Sequence, residues 1–327
     1  MVKTMIRTAL AVLLAGTSVF GAALAQAQAW PVKPIRVIIP YPPGGGPDVV
    51  MRPVGEKLRE VFGQNIVLEH KPGASTIIGS DYVAKSAPDG YTLLLITDSH
   101  SLNPGFRNNL PYDSLRDFAP ITQLVNTPLV MVTRPSVPVK NVTELIAYAK
   151  ANPNKVAYGS PGFGGPHYVA MEWFKKMSGV DMLHVPYQGS GGMFPAMLAG
   201  DIQVMLIGAV TALPYAKDGR VNLIAAAPNK RLAAAPDTPS IAETPGMSEF
   251  NVMSWYGLVA PAKTPPAIIT RLNQEIRKAL AAPDLAQKLS GAGLFPAGAS
   301  VEEFQAFMRK DGEHYGRIIK LTGARGE

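Results

Sequence analysis

The sequence predicts a two-lobed α/β protein, and three observations support this prediction. Strand-type apolar runs alternate with helix-type runs from Ile35 onward, which is typical of a parallel sheet. Two strand-to-helix junctions carry glycine-rich turns, Gly44–Gly46 and Gly159–Gly165, one in each half of the chain. The 327 residues are enough for two domains of ~100–200 residues each. We therefore expect a ligand to be held between two lobes.

Residues 1–29 have the pattern of a cleaved secretory signal. Lys3 and Arg7 precede an apolar run from Ala9 to Leu24, and small-x-small cleavage patterns lie within Ala23–Ala29. A transmembrane anchor is the alternative, but the run is short and rich in Ala and Gly. No cysteine follows the run, so lipid anchoring is excluded. We expect a soluble mature protein in the periplasm.

The rest of the chain divides into predicted strands and helices. The predicted strands are Ile35–Ile39, Ile66–Glu69, Thr92–Ile96, Ile121–Val125, Leu129–Thr133, Val156–Tyr158, Leu183–Val185, Val204–Ile207, Leu223–Ala226 and Tyr256–Ala260. The predicted helices are Asp48–Phe62, Ile77–Ser86, Val142–Ala151, Tyr168–Ser178, Met193–Ala199, Pro266–Ala281 and Val301–Leu321. These are too many βα units for one small sheet.

No disordered spacer separates the two halves, because the 30 prolines and 31 glycines punctuate the βα units. We therefore predict a hinge of crossing strands, near Leu124–Val130 and again near Asn251–Tyr256. Residues 30–128 and 253–327 would form the first lobe, and residues 129–252 the second. The C-terminal helices would pack back on the first lobe.

The residue types argue against an enzyme. The chain has no cysteine, hence no thiol nucleophile, thiolate metal site or disulfide. Its five histidines form no metal-binding spacing, and no Gly-x-Ser-x-Gly nucleophile elbow is present. Asp98, Ser99 and His100 cannot form a catalytic relay, because side chains adjacent on a strand end point in different directions. We interpret these three residues as a ligand-facing loop and expect neither catalysis nor a cofactor.

The charge pattern favours a small anionic ligand over a nucleic acid. The formal charge is +7, and removal of the predicted signal would leave +5. The basic residues are scattered and form no stripe with interleaved aromatics, so nucleic acid binding is not expected. A modest positive field steers small anions toward a protein.

Both glycine-rich turns are suited to anion binding through the backbone. A strand that runs into such a turn and then a helix directs unpaired N–H groups and the positive end of the helix dipole at one point. Asp48 is the predicted N-cap of the first helix. His167 opens the helix after the second turn and would donate to an anion there or simply contact solvent.

A set of motifs in order along the chain carries a family resemblance. The motifs are Pro34–Tyr41 with Pro43-Gly44-Gly45 and Asp48, Glu69–Ala74, Pro88–Leu93, Tyr158-Gly159-Ser160 with Gly162, Gly164 and His167, and His184–Gly189 with Gly200-Asp201. Together they resemble the periplasmic substrate-binding proteins of tripartite tricarboxylate transporters, the Bug or TctC family. The resemblance covers essentially the whole chain after residue 29.

The resemblance implies a type II-like periplasmic-binding-protein fold, with two Rossmann-like βα lobes joined by crossing strands. Such a receptor closes on an organic acid and delivers it, as a monomer, to membrane permease subunits. Carried over by position, the implied first-lobe ligand contacts are Tyr41, Pro43, Gly44, Gly45, Asp48, Thr97, Ser99 and His100. Those of the second lobe are Ser160, Gly162, Phe163, Gly164, His167, Gln188 and Asp201.

The identity of the ligand stays open at the level of the sequence. Gly46 and Pro47 fill the gap before Asp48, Tyr41 replaces a frequent Phe, and His70 replaces a frequent Asn. Tyr41 and Phe163 could sandwich an aromatic acid or wall off an aliphatic dicarboxylate or tricarboxylate. A receptor that feeds a sensor protein would have the same fold, and a secreted hydrolase is the less favoured alternative.

Overall fold

The computed structural model describes residues 30–107, 109–187 and 190–326. The predicted signal segment and the candidate residue Gln188 lie outside these ranges. In the described ranges no helix is both long and apolar enough to span a membrane.

The described chain alternates strands with helices. The strands are β1 (Ile35–Ile39), β2 (Ile66–His70), β3 (Thr92–Thr97), β4 (Phe118–Thr133), β5 (Ala157–Ser160), β6 (Leu183–Pro186), β7 (Val204–Gly208), β8 (Asn222–Ala226), β9 (Met253–Pro261) and β10 (Phe295–Pro296). The helices are α1 (Gly46–Phe62), α2 (Ile77–Ala84), α3 (Asp98–Phe106), α4 (Val142–Ala151), α5 (Pro166–Ser178), α6 (Met193–Ala199), α7 (Ala209–Lys217), α8 (Pro266–Ala281), α9 (Pro283–Gly291) and α10 (Val301–Thr322).

The strands form one curled sheet in the order β2-β1-β3-β9-β4-β7-β5-β6, with β8 and β10 also paired to β4. Strands β1, β2 and β3 are mutually parallel, as are β5, β6 and β7. Each parallel set is flanked by helices, as expected when βα units bury both faces of their strands. We call the half around β1–β3 and β9 the first lobe and the half around β5–β8 the second lobe. The predicted two-lobed α/β fold is confirmed.

Strand β4 connects the two lobes. Its residues from Phe118 to Pro128 pair with β9, and those from Leu129 to Thr133 pair with β7 and β8. The prediction of two separate strands here was wrong. Pro128 lacks an N–H and usually interrupts a strand, but it is the last residue paired with β9, where the ladder changes partner. The missing donor therefore falls at the crossing point.

Two other features differ from the prediction. Helix α1 begins at Gly46 with Gly45 as its N-cap, so Asp48 lies in the first turn and is not the cap. Residues Asp98–Phe106 form helix α3 where a loop was expected. The Thr97 hydroxyl caps α3 by accepting a hydrogen bond from the Ser99 N–H at 3.2 Å, and Pro104 lies inside the helix.

The C-terminal helix α10 spans both lobes and not the first alone. Near its start, Phe304 and Met308 belong to the apolar cluster around Trp255 in the first lobe. Near its end, Ile318 and Ile319 belong to the main cluster of the second lobe. The pattern of apolar residues predicted an amphipathic helix, but it could not show that successive turns would bury against different lobes.

Candidate functional site

Both glycine-rich turns lie where open α/β sheets bind ligands, beyond the carboxyl ends of parallel strands. The first turn connects β1 to α1, and the second connects β5 to α5. Gly44 has φ +86°, and Gly162 and Gly164 have φ +134° and +69°. These left-handed conformations are ones that glycine adopts without steric cost. The glycines therefore shape the backbone that each turn presents.

The first turn is held in place by charged side chains. The Gly44 N–H donates to Asp48 Oδ2 at 2.9 Å, and Arg52 Nη2 donates to Asp48 Oδ1 at 3.1 Å. His70 Nε2 lies 3.3 Å from the same Oδ1, and His70 Nδ1 donates to the Tyr41 carbonyl at 2.9 Å. Asp48 is only 3% exposed, and both its oxygens are engaged within the protein. The structure thus places Asp48 beneath the turn, as the residue that holds it.

The surface of the first turn offers backbone donors. Pro43, Gly44 and Gly45 are exposed, and no described residue accepts a hydrogen bond from the N–H groups of Gly45 or Gly46. These donors lie at the positive end of α1. A bound carboxylate there gains hydrogen bonds of ~1.5–3 kcal/mol and a dipole interaction of ~0.3–1 kcal/mol.

Hydroxyl groups line the adjacent ends of β1 and β3. The Tyr41 hydroxyl lies 2.7 Å from Thr97 Oγ1 and donates to Ser99 Oγ at 3.3 Å. Burial raises the pKa of Tyr41 to about 12, so the phenol stays protonated. The structure therefore brings the predicted residues Tyr41, Thr97 and Ser99 together in one network beside the first turn.

The structure does not bring His100 to this network. Its Nε2 donates to the Ser114 carbonyl at 2.9 Å, and its ring stacks on Tyr112 at 5.8 Å and meets Phe118 edge-on at 4.9 Å. The residue is 2% exposed, and burial lowers its pKa to about 4. Helix α3 directs this side chain into the first-lobe core.

The second turn is held in place by neutral groups. The Ser160 hydroxyl donates to the Gly162 carbonyl at 2.8 Å, and His184 Nε2 lies 2.7 Å from the same hydroxyl oxygen. Because the hydroxyl has only one proton to give, His184 Nε2 must carry the hydrogen that joins these two groups. Burial lowers the pKa of His184 to about 4, so this imidazole is neutral near pH 7. Ser160 is fully buried, which places it beneath the turn.

Aromatic rings surround His184, and Phe163 packs among them. The His184 ring stacks on Tyr158 at 4.8 Å and meets Phe163 edge-on at 4.7 Å, and Phe163 also contacts Tyr168 at 5.5 Å. Phe163 therefore packs on its own lobe. The sequence places His184 at the start of the motif His184–Gly189 but does not show that it would support the turn through Ser160.

The surface of the second turn again offers backbone donors, together with one imidazole. No described residue accepts from the N–H groups of Gly164, Gly165 or His167. The His167 side chain is partly exposed at the start of α5, and burial lowers its pKa to about 4. A neutral His167 can donate or accept one hydrogen bond to a ligand.

The second turn borders the first lobe. A side chain added at Gly164 would lie 3.5 Å from the ring of Phe106, the last residue of α3. Asp201, in contrast, is exposed and lies just before β7. This is the amino end of the second-lobe strands, where the Ala157 N–H of β5 donates to the Gln203 side chain. The structure therefore does not bring Asp201 to the turn.

Two parallel-stranded lobes, joined by strand β4 and each carrying a glycine-rich turn with unpartnered backbone N–H groups, are the features expected of the periplasmic solute-binding receptors. The sequence model of the TctC family, described as the tripartite tricarboxylate transporter family receptor, matches residues 50–324. The chain belongs to this family. Its members are solute-binding proteins and not enzymes.

Solved structures support the assignment. A protein of Rhodopseudomonas palustris solved with adipate is 29% identical, with a TM-score of 0.84 over 90% of this chain and 99% of that one. MatC of the same species, solved with bound malate, is 27% identical, with a TM-score of 0.80 over 89% and 100%. The periplasmic binding protein BugD is 28% identical, with a TM-score of 0.82 over 91% and 100%. These similarities imply a periplasmic location.

Proposed function

We propose that this protein captures a small aliphatic dicarboxylate between its two lobes and delivers it to the permease of a tripartite tricarboxylate transporter. One observation carries the proposal. Each lobe presents unpartnered backbone N–H groups at the start of a helix, so the two ends of a diacid each meet a dipole and a set of donors. Secretion through the leader 1–29 and action as a monomer belong to the same proposal.

The side chains around the turns favour an aliphatic acid over an aromatic one. The Tyr41 hydroxyl is engaged with Thr97 and Ser99, and Phe163 packs on Tyr168 and His184. Each side chain is therefore anchored within its own lobe. The adipate and malate of the two related structures are aliphatic diacids of the expected size.

The electrostatics favour recognition through hydrogen bonds. Arg52 and His70 surround Asp48, and the imidazole of His167 is neutral near pH 7. The charge of a bound acid would then be compensated by N–H groups and helix dipoles. An amine or a cation would find no matching carboxylate at either turn, because Asp48 is already engaged.

Isothermal titration calorimetry with adipate, malate, benzoate and the monoamide of adipic acid tests the proposal. We expect a diacid to bind at least about tenfold more tightly than the monoamide, a difference of ~1.4 kcal/mol. Benzoate that bound as tightly as the diacids would contradict the two-ended carboxylate site. Uptake assays in cells with and without the permease genes then separate a transport receptor from a subunit that feeds a sensor.

A further inference from the structure

Tyr256 lies on β9, in the middle of the sheet and beside the first turn. In the strand register it pairs with Thr97 of β3 on one side and Val125 of β4 on the other. Directly paired residues of antiparallel strands place their side chains on the same face, with Cβ atoms ~4.5–5.5 Å apart. Tyr256 therefore shares a face with Thr97, whose hydroxyl contacts Tyr41.

The Tyr256 hydroxyl lies over the start of α1. A Cβ atom added at Gly46 would collide with this hydroxyl oxygen, which shows how closely the phenol approaches the first helical residue. The free N–H groups of Gly45 and Gly46 are at the same place. Side chain and backbone donors thus converge on one point.

The hydroxyl of Tyr256 differs from two other hydroxyls in having no partner. The Tyr41 hydroxyl contacts Thr97, and the Tyr158 hydroxyl donates to Glu172 at 2.6 Å. Within the described ranges nothing donates to or accepts from the Tyr256 hydroxyl, although the side chain is only partly exposed. A polar group in such surroundings is costly unless it finds a partner.

The phenol of Tyr256 is a hydrogen-bond donor under all ordinary conditions. Burial raises its pKa above the usual value, and the nearby Tyr41 and Asp98 raise it further. The backbone groups beside it are donors as well. Such a set of donors requires an acceptor, and a carboxylate oxygen from a ligand meets this requirement.

We propose that Tyr256 is a ligand-contacting residue whose hydroxyl donates a hydrogen bond to the carboxylate held at Gly45 and Gly46. The assignment rests on the proposed function and adds a specific side chain to it. A carboxylate bound there accepts from strand β9 and from the start of helix α1 at once. An amide in its place would turn an N–H₂ donor toward some of these donors, so Tyr256 contributes to selection of the acid.

Calorimetry on Tyr256→Phe with adipate and malate tests the assignment. Loss of a hydrogen bond to a charged group should weaken binding by about 10- to 100-fold, with little change in the melting temperature of the free protein. Tyr91→Phe is the matched control. Tyr91 precedes Thr92 at the opposite end of β3, roughly 20 Å from Thr97, and this variant should bind as the parent does.

The outcomes separate the assignment from the proposed function. If the parent binds a diacid and Tyr256→Phe binds it equally well, the assignment is wrong and the function stands. If the parent binds neither adipate nor malate, nor any other diacid in a C4–C6 series, the proposed function fails and the assignment fails with it.

A second pair of variants tests the contact without ligand. Gly46→Ala should lower the melting temperature, because the new methyl group collides with the Tyr256 hydroxyl. Adding Tyr256→Phe to Gly46→Ala removes the oxygen and should recover part of the loss, which a double-mutant cycle measures as coupling. Absence of coupling would show that the hydroxyl does not lie over Gly46 and would overturn the assignment.

Discussion

In the first lobe the glycine-rich turn is held by charge, whereas in the second lobe it is held by neutral groups. A nearly buried carboxylate, Asp48, accepts from the Gly44 N–H and is flanked by Arg52 and His70. The corresponding position beneath the second turn is taken by the Ser160 hydroxyl and the neutral imidazole of His184. The surface of both turns is nevertheless the same, a set of free backbone N–H groups.

This difference shows that the backbone geometry, and not a particular side chain, is what the two sites have in common. A carboxylate beneath the first turn would repel a bound acid if it were exposed, but Asp48 is nearly buried and pairs with Arg52. The neutral network beneath the second turn needs no such compensation. Two different supports can therefore present the same kind of anion site.

The largest effect on ligand affinity is expected where the backbone of a turn is changed. Gly164→Val should abolish measurable binding of adipate, because a β-branched residue resists φ +69° and would change the course of the turn. Gly179→Val is the matched control, since Gly179 has a similar φ of +66° and open space around its Cα at the far end of α5. Titration calorimetry compares the two variants. Binding by Gly164→Val at the level of Gly179→Val would show that the second turn is not part of the site.

A smaller effect, on the pH dependence of stability, is expected from a carboxyl group between helix α3 and strand β9. Asp98 opens α3 and accepts from Ser254 of β9 at 2.5 Å. Burial, together with the nearby Asp311 of α10, raises the pKa of Asp98 to about 7, while burial raises the pKa of Asp311 itself to about 6. No described cation forms an ion pair with either group. The folded protein therefore keeps protons there that the unfolded chain releases.

The sign of the effect follows from this proton balance. Between pH 4 and pH 7 the folded state binds more protons at Asp98 than the unfolded state, so its contribution to stability falls as pH rises, by at most ~1.4 kcal/mol per pH unit. The histidines with pKa lowered to about 4 act in the opposite direction between pH 4 and 6.5. The test is therefore the difference between Asp98→Asn and the parent in urea unfolding. The variant should gain relative stability from pH 4 to pH 7, and a constant difference would contradict an uncharged Asp98.

The sequence predicted the sheet and both turns because local patterns determine them. Val142–Ala151 and Pro266–Ala281 were predicted at their observed bounds, since Asn141 caps the first, proline opens the second, and the apolar spacing of both is local. Helix α3 was missed because the Asp98-Ser99-His100 run, directly after the predicted strand Thr92–Ile96, resembles a loop. Its formation depends on the Thr97 cap and on burial of Leu102, which tertiary packing decides.

The site was predictable at the level of the turns and less so at the level of side chains. Tyr256 lies in a segment predicted to cross between the lobes, but nothing local shows which face of β9 meets α1. Asp48 and Ser160 were identified from their motifs, and only the structure shows that they lie beneath the turns. Side-chain direction depends on register between distant strands, which a single sequence does not contain.

The last prediction compares the charged residue beneath the first turn, Asp48, with the neutral residue beneath the second turn, Ser160. Asp48→Asn removes a charged acceptor that serves Gly44 and Arg52, so it should lower the free energy of unfolding by ~1.5–3 kcal/mol and weaken adipate binding. Ser160→Ala removes a neutral hydroxyl and should cost ~1 kcal/mol, with a smaller loss of affinity. The control Asp284→Asn breaks an exposed pair with Lys57 at the start of α9 and should change stability much less than either variant.

Urea unfolding and calorimetry on these three variants measure whether the charged residue beneath the first turn contributes more to stability and affinity than the neutral one beneath the second. If Asp48→Asn behaves like Asp284→Asn, the first turn keeps its shape through its glycines and prolines, and the charged support has no energetic role. If Ser160→Ala costs as much as Asp48→Asn, the loss must come from the His184 N–H left without its acceptor, because an orphaned buried donor costs ~1–3 kcal/mol. The additional variant His184→Phe, which removes that donor, would then restore stability in the Ser160→Ala background and leave Asp48→Asn unaffected.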